Sequence, residues 1–238
     1  MFRLGILQAG SPPQEFLGYF PSYSKMFSNL FKISEKDFII SDYLIYENQF
    51  PKNIRDNDGY LITGSAFGVY ENHQWMNPLF RKINDIVNIN IPIVGICFGH
   101  QAIAQALGGL VEKSPKGWGL GITSMHLYKE KPWIKSYKNV TRVISFHQDQ
   151  VIKVPQKAEI LAGNEFCPIS SFSIGRNVFT IQGHPEFTYE YFYNLLKIRK
   201  ETIGYEIYNN ILQRLDKKDH DGKIMGEWII NFLEQNFK

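Results

Sequence analysis

A continuous apolar run, Pro92–Ile96, passes directly into a helical segment, Phe98–Leu107, with one cysteine between them. The turn is Gly95-Ile96-Cys97-Phe98-Gly99, and its two glycines allow the sharp change of direction that this connection needs. A short, continuously apolar segment followed by such a turn is typical of a β-strand that is covered by helices on both faces of the sheet. This segment therefore favours an α/β protein with a mostly parallel sheet.

Predicted strands and helices alternate along the chain. The predicted strands are Leu4–Gln8, Asp37–Tyr43, Tyr60–Thr63 and Pro92–Ile96, followed by shorter pieces at Val140–Phe146, Glu159–Ala162 and Val178–Gln182. The predicted helices are Pro21–Phe31, Leu79–Ile89, Phe98–Leu107, Tyr189–Lys200, Tyr205–Leu215 and Lys223–Phe237. Such alternation implies βαβ units, and the short strands after residue 110 either extend the parallel sheet or form an antiparallel flank.

Composition restricts the possible functions. The 238 residues carry a formal charge of only +3, so we expect no nucleic-acid partner. No apolar run reaches the ~18–20 residues of a membrane span, and the N-terminus lacks the apolar core of a signal peptide. Two cysteines are too few for a disulfide framework. We therefore expect no membrane partner, a cytoplasmic location and, because no linker divides the chain, a single domain over residues 1–238.

Cys97 is the first candidate catalytic residue. A cysteine at a tight turn between a strand and a helix projects its thiol at the carboxyl end of the strand, where α/β sheets place their ligands. The helix N-terminus next to it favours the thiolate. The alternative is an inert cysteine in a packed strand end. We interpret Cys167, next to Pro168, as a small buried apolar residue.

His184 and Glu186 are the second and third candidates, in the segment Gln182-Gly183-His184-Pro185-Glu186-Phe187. The imidazole can exchange a proton with the thiol, and the carboxylate two residues on can fix its tautomer. A surface loop with an incidental histidine is the alternative for this segment alone. His100 is a poorer candidate for the base, because it lies on the helix that follows Cys97. The histidines show no metal-ligand spacing, and we expect neither a metal nor a cofactor.

A glycine turn after the predicted strand Tyr60–Thr63 provides candidates for an oxyanion hole. The backbone N–H groups of Gly64 or Ser65, together with that of Phe98, could bind the oxygen of a tetrahedral intermediate. A plain strand-ending turn is the alternative interpretation of this segment.

Together these residues resemble the class I, or triad-type, glutamine amidotransferases. In that family a Gly-x-Cys-x-Gly turn and a His-Pro-Glu motif form a Cys–His–Glu triad, here Cys97, His184 and Glu186. The resemblance runs from Leu4 to about Leu233, and it implies a flavodoxin-like three-layer α/β/α sandwich. It further implies that Gln101 and the segment His147-Gln148-Asp149 bind the glutamine substrate.

Within the family, the chain resembles the free-standing GMP-synthase-like branch and the related plant γ-glutamyl peptidases. The shared blocks are Leu7-Gln8-Ala9-Gly10, Leu61-Ile62-Thr63-Gly64-Ser65, Lys113-Ser114-Pro115-Lys116-Gly117-Trp118-Gly119 and Asn164-Glu165-Phe166-Cys167-Pro168. A complete GMP synthase also has a Ser-Gly-Gly-x-Asp-Ser phosphate loop, and this sequence has none.

Two activities are therefore expected as alternatives. The first is hydrolysis of the glutamine side-chain amide, with ammonia passed to a separate synthase or acceptor subunit. The second is a γ-glutamyl peptidase that acts alone on γ-glutamyl amides. The loops Phe67–Pro78 and Ser114–Gly121 contain Tyr70, Trp75 and Trp118, which either line the leaving-group side or pack within the loops. A non-enzymatic scaffold is a third interpretation, and the intact candidate triad argues against it.

Overall fold

A large β-sheet forms the centre of the protein in the computed structural model, which describes residues 1–34, 37–135, 139–215 and 220–236. Its strands, within the described ranges, are β1 (Phe2–Gln8), β2 (Phe38–Leu44), β3 (Gly59–Ile62), β4 (Ile93–Ile96), β6 (Gly119–Leu127), β7 (Val140–His147), β9 (Ala158–Gly163), β10 (Ser171–Ile174) and β11 (Val178–Ile181). Their order is β2-β1-β3-β4-β11-β10-β9-β6-β7. Two short strands, β5 (Leu110–Lys113) and β8 (Asp149–Lys153), pair with each other in a second sheet.

The large sheet has a parallel half and an antiparallel half. Strands β2, β1, β3, β4 and β11 are parallel to one another. Strands β10, β9, β6 and β7 then continue the sheet with antiparallel pairing. The mostly parallel sheet with an antiparallel flank is thus confirmed.

Helices cover both faces of the parallel half. The helices are α1 (Tyr23–Phe31), α2 (Met76–Asn88), α3 (Phe98–Ala106), α4 (Tyr189–Ile198), α5 (Lys200–Ile203), α6 (Tyr205–Arg214) and α7 (Gly222–Glu234). On one face, Phe27 of α1 and Trp228 of α7 share an apolar cluster with Leu4 of β1. On the other face, Ile83 of α2 and Ile103 of α3 are in a second cluster. These layers confirm the predicted α/β/α sandwich.

Burial on both faces explains the continuous apolar runs of the central strands. Every residue of β3, β4 and β11 is buried. Strand β1 also alternates between the two clusters, since Leu4 and Ile6 face one and Leu7 the other. Strands of this kind show no alternation of polar and apolar residues, and length and flanking glycines identify them instead.

The C-terminal helices depart from the prediction. The predicted helix Tyr189–Lys200 ends at Ile198, and after Arg199 the chain forms the separate short helix α5. Helix α7 begins at Gly222, and Phe237 of the predicted helix Lys223–Phe237 lies outside the described residues. In the part of the chain that the structure describes, no helix combines the length and apolar character needed to span a membrane.

Candidate active site

Three neighbouring strands end at the candidate site. Gly64 follows β3, Cys97 follows β4 and His184 follows β11, and these strands are adjacent and parallel. Parallel strands bring their carboxyl ends to one edge of a sheet, so residues far apart in sequence meet there. An added Cβ at Gly64 would lie 2.8 Å from His184 Cε1 and 3.7 Å from Cys97 Cβ.

Cys97 lies in a strained backbone conformation at the turn between β4 and α3. Its φ is +52° and its ψ is −103°, which is unusual for a residue with a side chain. The backbone N–H donates to the carbonyl oxygen of Ile181 on β11 at 2.9 Å and so fixes the turn against the sheet. Gly95 and Gly99 are required by space, because an added Cβ at Gly95 would lie 2.5 Å from the Gly99 oxygen.

His184 is held by three contacts. Its Nδ1 lies 2.8 Å from Glu186 Oε1, and its backbone N–H donates to the carbonyl oxygen of Ile144 at 2.8 Å. The imidazole stacks on the Phe187 ring, with a centroid separation of 4.0 Å and an interplanar angle of 5°. The His184 and Glu186 side chains are both buried. These contacts fix the ring orientation and leave Nε2 for a second partner.

The electrostatic surroundings favour a protonated His184. Burial lowers the pKa of the imidazole, but negative charge on Cys97 and Glu186 outweighs burial and raises it to about 10. Hydrogen bonds to both side chains act in the same direction. A positively charged imidazole beside the sulfur is suited to stabilising a thiolate.

Two buried glutamines, Gln182 and Gln101, connect the Cys97 thiol to Asp149 through hydrogen bonds. Gln182 Nε2 lies 3.6 Å from Cys97 Sγ, and Gln101 Nε2 donates to Gln182 Oε1 at 3.1 Å. Gln101 Nε2 also donates to the carbonyl oxygen of Asp149 at 2.9 Å. Sequence reasoning selected Gln101 but not Gln182, although Gln182 directly follows the buried strand β11 and precedes the Gly-His-Pro-Glu segment.

His147, Gln148 and Asp149 form one wall of a cleft that contains Cys97. His147 is buried, and its Nδ1 lies 3.1 Å from the carbonyl oxygen of Asp149. Burial lowers the pKa of His147 to about 4, so this imidazole is neutral at pH 7. Asp149 Oδ1 accepts a hydrogen bond from the Tyr70 hydroxyl at 3.0 Å. Desolvation is the main factor that raises the pKa of the Asp149 carboxyl.

The candidate oxyanion donors surround the same thiol. Ser65 Oγ donates to the carbonyl oxygen of Ala9 at 2.8 Å, which holds the turn after β3. Phe98 is the first residue of α3, so its N–H has no acceptor within the helix. Within the described residues, the N–H groups of Gly64, Ser65 and Phe98 have no protein acceptor.

His100 and Cys167 lie outside this constellation. His100 is fully buried, and its Nδ1 lies 2.8 Å from Thr180 Oγ1. Burial lowers the pKa of His100 to about 3, so this imidazole cannot act as an acid near neutral pH. Burial also raises the pKa of the Cys167 thiol to about 12. Both are therefore buried packing residues, as expected from the sequence.

The cleft above Cys97 has a volume of about 270 Å³. Phe67, Tyr70 and Trp118 line it, whereas Trp75 packs against the Phe98 ring, with centroids 5.5 Å apart. The two predicted loops thus contribute both cleft walls and internal packing. Within the described residues, no group of three or more His, Cys, Asp or Glu side chains could hold a metal ion.

A thiol at a strained turn, beside a buried imidazole–carboxylate pair, is the arrangement that α/β enzymes use to cleave amides through a cysteine. The family model described as Glutamine amidotransferase class-I matches residues 29–196, more than half of the chain. The chain belongs to that family.

The relatives differ in length and in their named activities. Gamma-glutamyl peptidase 3 of Arabidopsis thaliana is 31% identical over 162 residues, which are 65% of this chain and 65% of that protein. A GMP synthase [glutamine-hydrolyzing] of Finegoldia magna is 28% identical over 182 residues, which are 76% of this chain and 31% of that protein. The crystal structure of a glutamine amidotransferase from Thermotoga maritima has a TM-score of 0.76, with 18% identity over 99% of this chain and 97% of that one. That likeness supports the flavodoxin-like fold.

Proposed function

We propose that this protein hydrolyses the γ-amide bond of glutamine or of a γ-glutamyl compound through a covalent thioester. The observation that carries the proposal is the meeting of Cys97 with the His184–Glu186 pair at one end of the sheet. The family membership supports the same chemistry. The proposal treats residues 1–238 as one working domain, because the strands of one continuous sheet provide all three side chains.

The first half-reaction transfers the γ-glutamyl group to the enzyme. The Cys97 sulfur attacks the δ-carbon of the amide, and a tetrahedral oxyanion forms between the N–H groups of Gly64 or Ser65 and Phe98. His184 gives its proton to the departing nitrogen, so the carbon–nitrogen bond breaks as ammonia or an amine leaves. Glu186 stabilises the imidazolium through its hydrogen bond to Nδ1.

The second half-reaction releases glutamate. Neutral His184 takes a proton from water, the resulting hydroxide attacks the thioester carbon, and the sulfur leaves as the thiolate. Gln101, His147, Gln148 and Asp149 are proposed to hold the glutamyl group during both steps. The Asp149 carboxylate in the cleft wall suits the ammonium group of such a substrate.

Two fates of the leaving group are consistent with this chemistry. Ammonia could be passed to a separate synthase or acceptor subunit, as the name of the GMP synthase relative suggests. A stand-alone γ-glutamyl peptidase is the second candidate. It is favoured because Phe67, Tyr70 and Trp118 extend the cleft around the thiol, and a larger leaving group needs such walls. A reducing, cytoplasmic environment suits the free thiols of Cys97 and Cys167.

Product release from purified protein tests the proposal. We expect glutamate to appear from free glutamine or from members of a γ-glutamyl peptide panel, because all of them have the same scissile carbonyl. Glutamate and the released amine would be measured by chromatography, with α-glutamyl peptides as the matched control. Equal hydrolysis of α- and γ-glutamyl peptides, or none of either, would contradict it.

Covalent labelling tests the identity of the nucleophile. A glutamine-like electrophile should modify Cys97 and leave Cys167 unmodified, because burial raises the pKa of Cys167 to about 12 and keeps it as the neutral thiol. Peptide mass spectrometry would locate the label, and a Cys167→Ala variant should be labelled as the unmodified chain is. A label on Cys167 alone would contradict the assignment of Cys97.

A further inference from the structure

The cleft that contains Cys97 has two flanks, and one of them has paired charges. On the flank beside Asp149, the Tyr70 hydroxyl donates to the carboxylate, and Lys113 lines the same wall. Glu71 lies 2.8 Å from His73 Nε2 and accepts the N–H of Gly68 at 2.8 Å. On this side Lys113 interacts electrostatically with the Asp149 carboxylate, and the Glu71 carboxylate is engaged by hydrogen bonds.

Arg199 lines the cleft on the flank formed by the cluster that contains Phe187 and Leu195. It lies between helices α4 and α5, where its N–H donates to Leu195 and its carbonyl oxygen accepts from Ile203. Leu195, Arg199 and Thr202 all line the cleft and so share one face of the α4–α5 segment, which is interrupted at Arg199. Among the described residues, no carboxylate is within ion-pairing distance of the Arg199 guanidinium.

Tyr23 lines the same cleft as Cys97 and Arg199. Burial is the main reason why the pKa of the Tyr23 hydroxyl is raised to about 12; the negative charges of Glu186 and Cys97 act in the same direction, and the hydrogen bond with Tyr191 and the Arg199 cation oppose them. One hydroxyl thus interacts electrostatically with both Cys97 and Arg199. Phe187 stacks on His184 and shares an apolar cluster with Leu195, whose carbonyl oxygen accepts the Arg199 N–H. Arg199 therefore lies on the His184 side of the cleft, where the proposed mechanism protonates the leaving nitrogen.

We infer that Arg199 binds a carboxylate carried by the leaving group, so that the substrate class is γ-glutamyl amino acids or peptides with a free carboxyl end. An arginine can bind a carboxylate through two parallel hydrogen bonds, and the Thr202 hydroxyl on the same face is a further donor. Ammonia has no group for Arg199 to bind. This inference rests on the proposed hydrolysis of γ-glutamyl amides.

The reaction with such a substrate balances without a co-reactant other than water. The Cys97 sulfur forms a bond to the γ-carbonyl carbon, and the carbon–nitrogen bond breaks. His184 supplies the proton with which the amino acid or peptide leaves, its carboxylate still bound by Arg199. Water then cleaves the thioester, which gives glutamate and restores the thiolate and the protonated imidazole.

A matched pair of substrates tests the role of Arg199. γ-Glutamylglycine and γ-glutamylglycinamide differ only in whether the leaving group has a carboxylate or a neutral amide. We expect the unmodified protein to favour γ-glutamylglycine in kcat/KM. Arg199→Gln should lower kcat/KM for γ-glutamylglycine by about ten- to hundred-fold, the range for a lost hydrogen bond to a charged group. Its effect on γ-glutamylglycinamide should be much smaller.

Two further variants complete the experiment. Arg199→Lys keeps the charge but not the paired donors, so it should restore part of the preference for γ-glutamylglycine. Arg81→Gln, on the exposed side of α2, should leave both rates unchanged. Equal losses on both substrates in Arg199→Gln, or no preference in the unmodified protein, would overturn the inference and leave the proposed hydrolysis intact. Failure of the unmodified protein to hydrolyse any γ-glutamyl compound would overturn both.

Discussion

Replacing Cys97 with alanine is expected to abolish γ-amide hydrolysis while leaving the fold intact. Without the sulfur no thioester can form, and loss of a nucleophile that works with its base costs on the order of 10⁶-fold in kcat. The side chain is small and buried, so the free energy of unfolding should fall by only about 1 kcal/mol. Product release and thermal unfolding, measured on the same preparation, check both parts.

The same variant has a second readout at His184. The negative charge and the hydrogen bond of Cys97 both raise the pKa of this imidazole, so removal of the sulfur should lower it from about 10. Titration of the imidazole by nuclear magnetic resonance would follow the shift. Retained hydrolysis in Cys97→Ala would refute the nucleophile, and an unchanged His184 pKa would refute its pairing with the thiol.

Replacing Gly99 with alanine should damage both stability and activity. An added Cβ there would collide with the Ile62 carbonyl oxygen and lie 2.8 Å from the Ile62 Cβ, so α3 and β3 must separate. Overpacking of this kind costs about 1–3 kcal/mol in the free energy of unfolding. Gly64 is two residues beyond Ile62, so displacement of β3 also moves a proposed oxyanion donor. A misplacement of this kind can cost about 10²-fold in kcat/KM.

Gly108→Ala is the matched control for this variant. Gly108 has a φ of +88°, but no atom lies within 4 Å of an added Cβ. The substitution should therefore cost about 1–2 kcal/mol through backbone strain alone and leave kcat/KM unchanged. Thermal melting and steady-state rates of the two variants separate steric displacement of the site from general destabilisation. Unmodified activity in Gly99→Ala would show that the turn can widen without moving its donors.

The sequence predicted the parallel half of the sheet because its signals are local. Burial on both faces makes β3, β4 and β11 short apolar runs, and glycines mark their ends. The same local pattern placed Cys97 between a strand and a helix, and the order of parallel strands then brings it near His184. Motif spacing within the family pointed to Gln101 and to Asp149.

Other features depend on contacts between distant segments, which a single sequence does not reveal. Strand β6 pairs with β7 for most of its length and with β9 at its end, and its mixed burial pattern shows no clear alternation. Gln182 acquires its role only because Gln101 and Cys97 lie beside it. The sequence predicted one continuous helix around Arg199 and gave no sign that this residue is special. Only the packed structure shows that Arg199 lines the cleft.

The position of β11 also affects when the thiol can react during synthesis. Although β11 comes last in sequence among the strands of the described residues, it lies between β4 and β10 in the sheet. A nascent chain that has not yet added residue 184 has neither the His184 imidazole nor, before residue 181, the Ile181 acceptor for Cys97. Contacts between segments so far apart form slowly. Completion of the centre of the sheet and assembly of the partners of Cys97 therefore depend on the same strand.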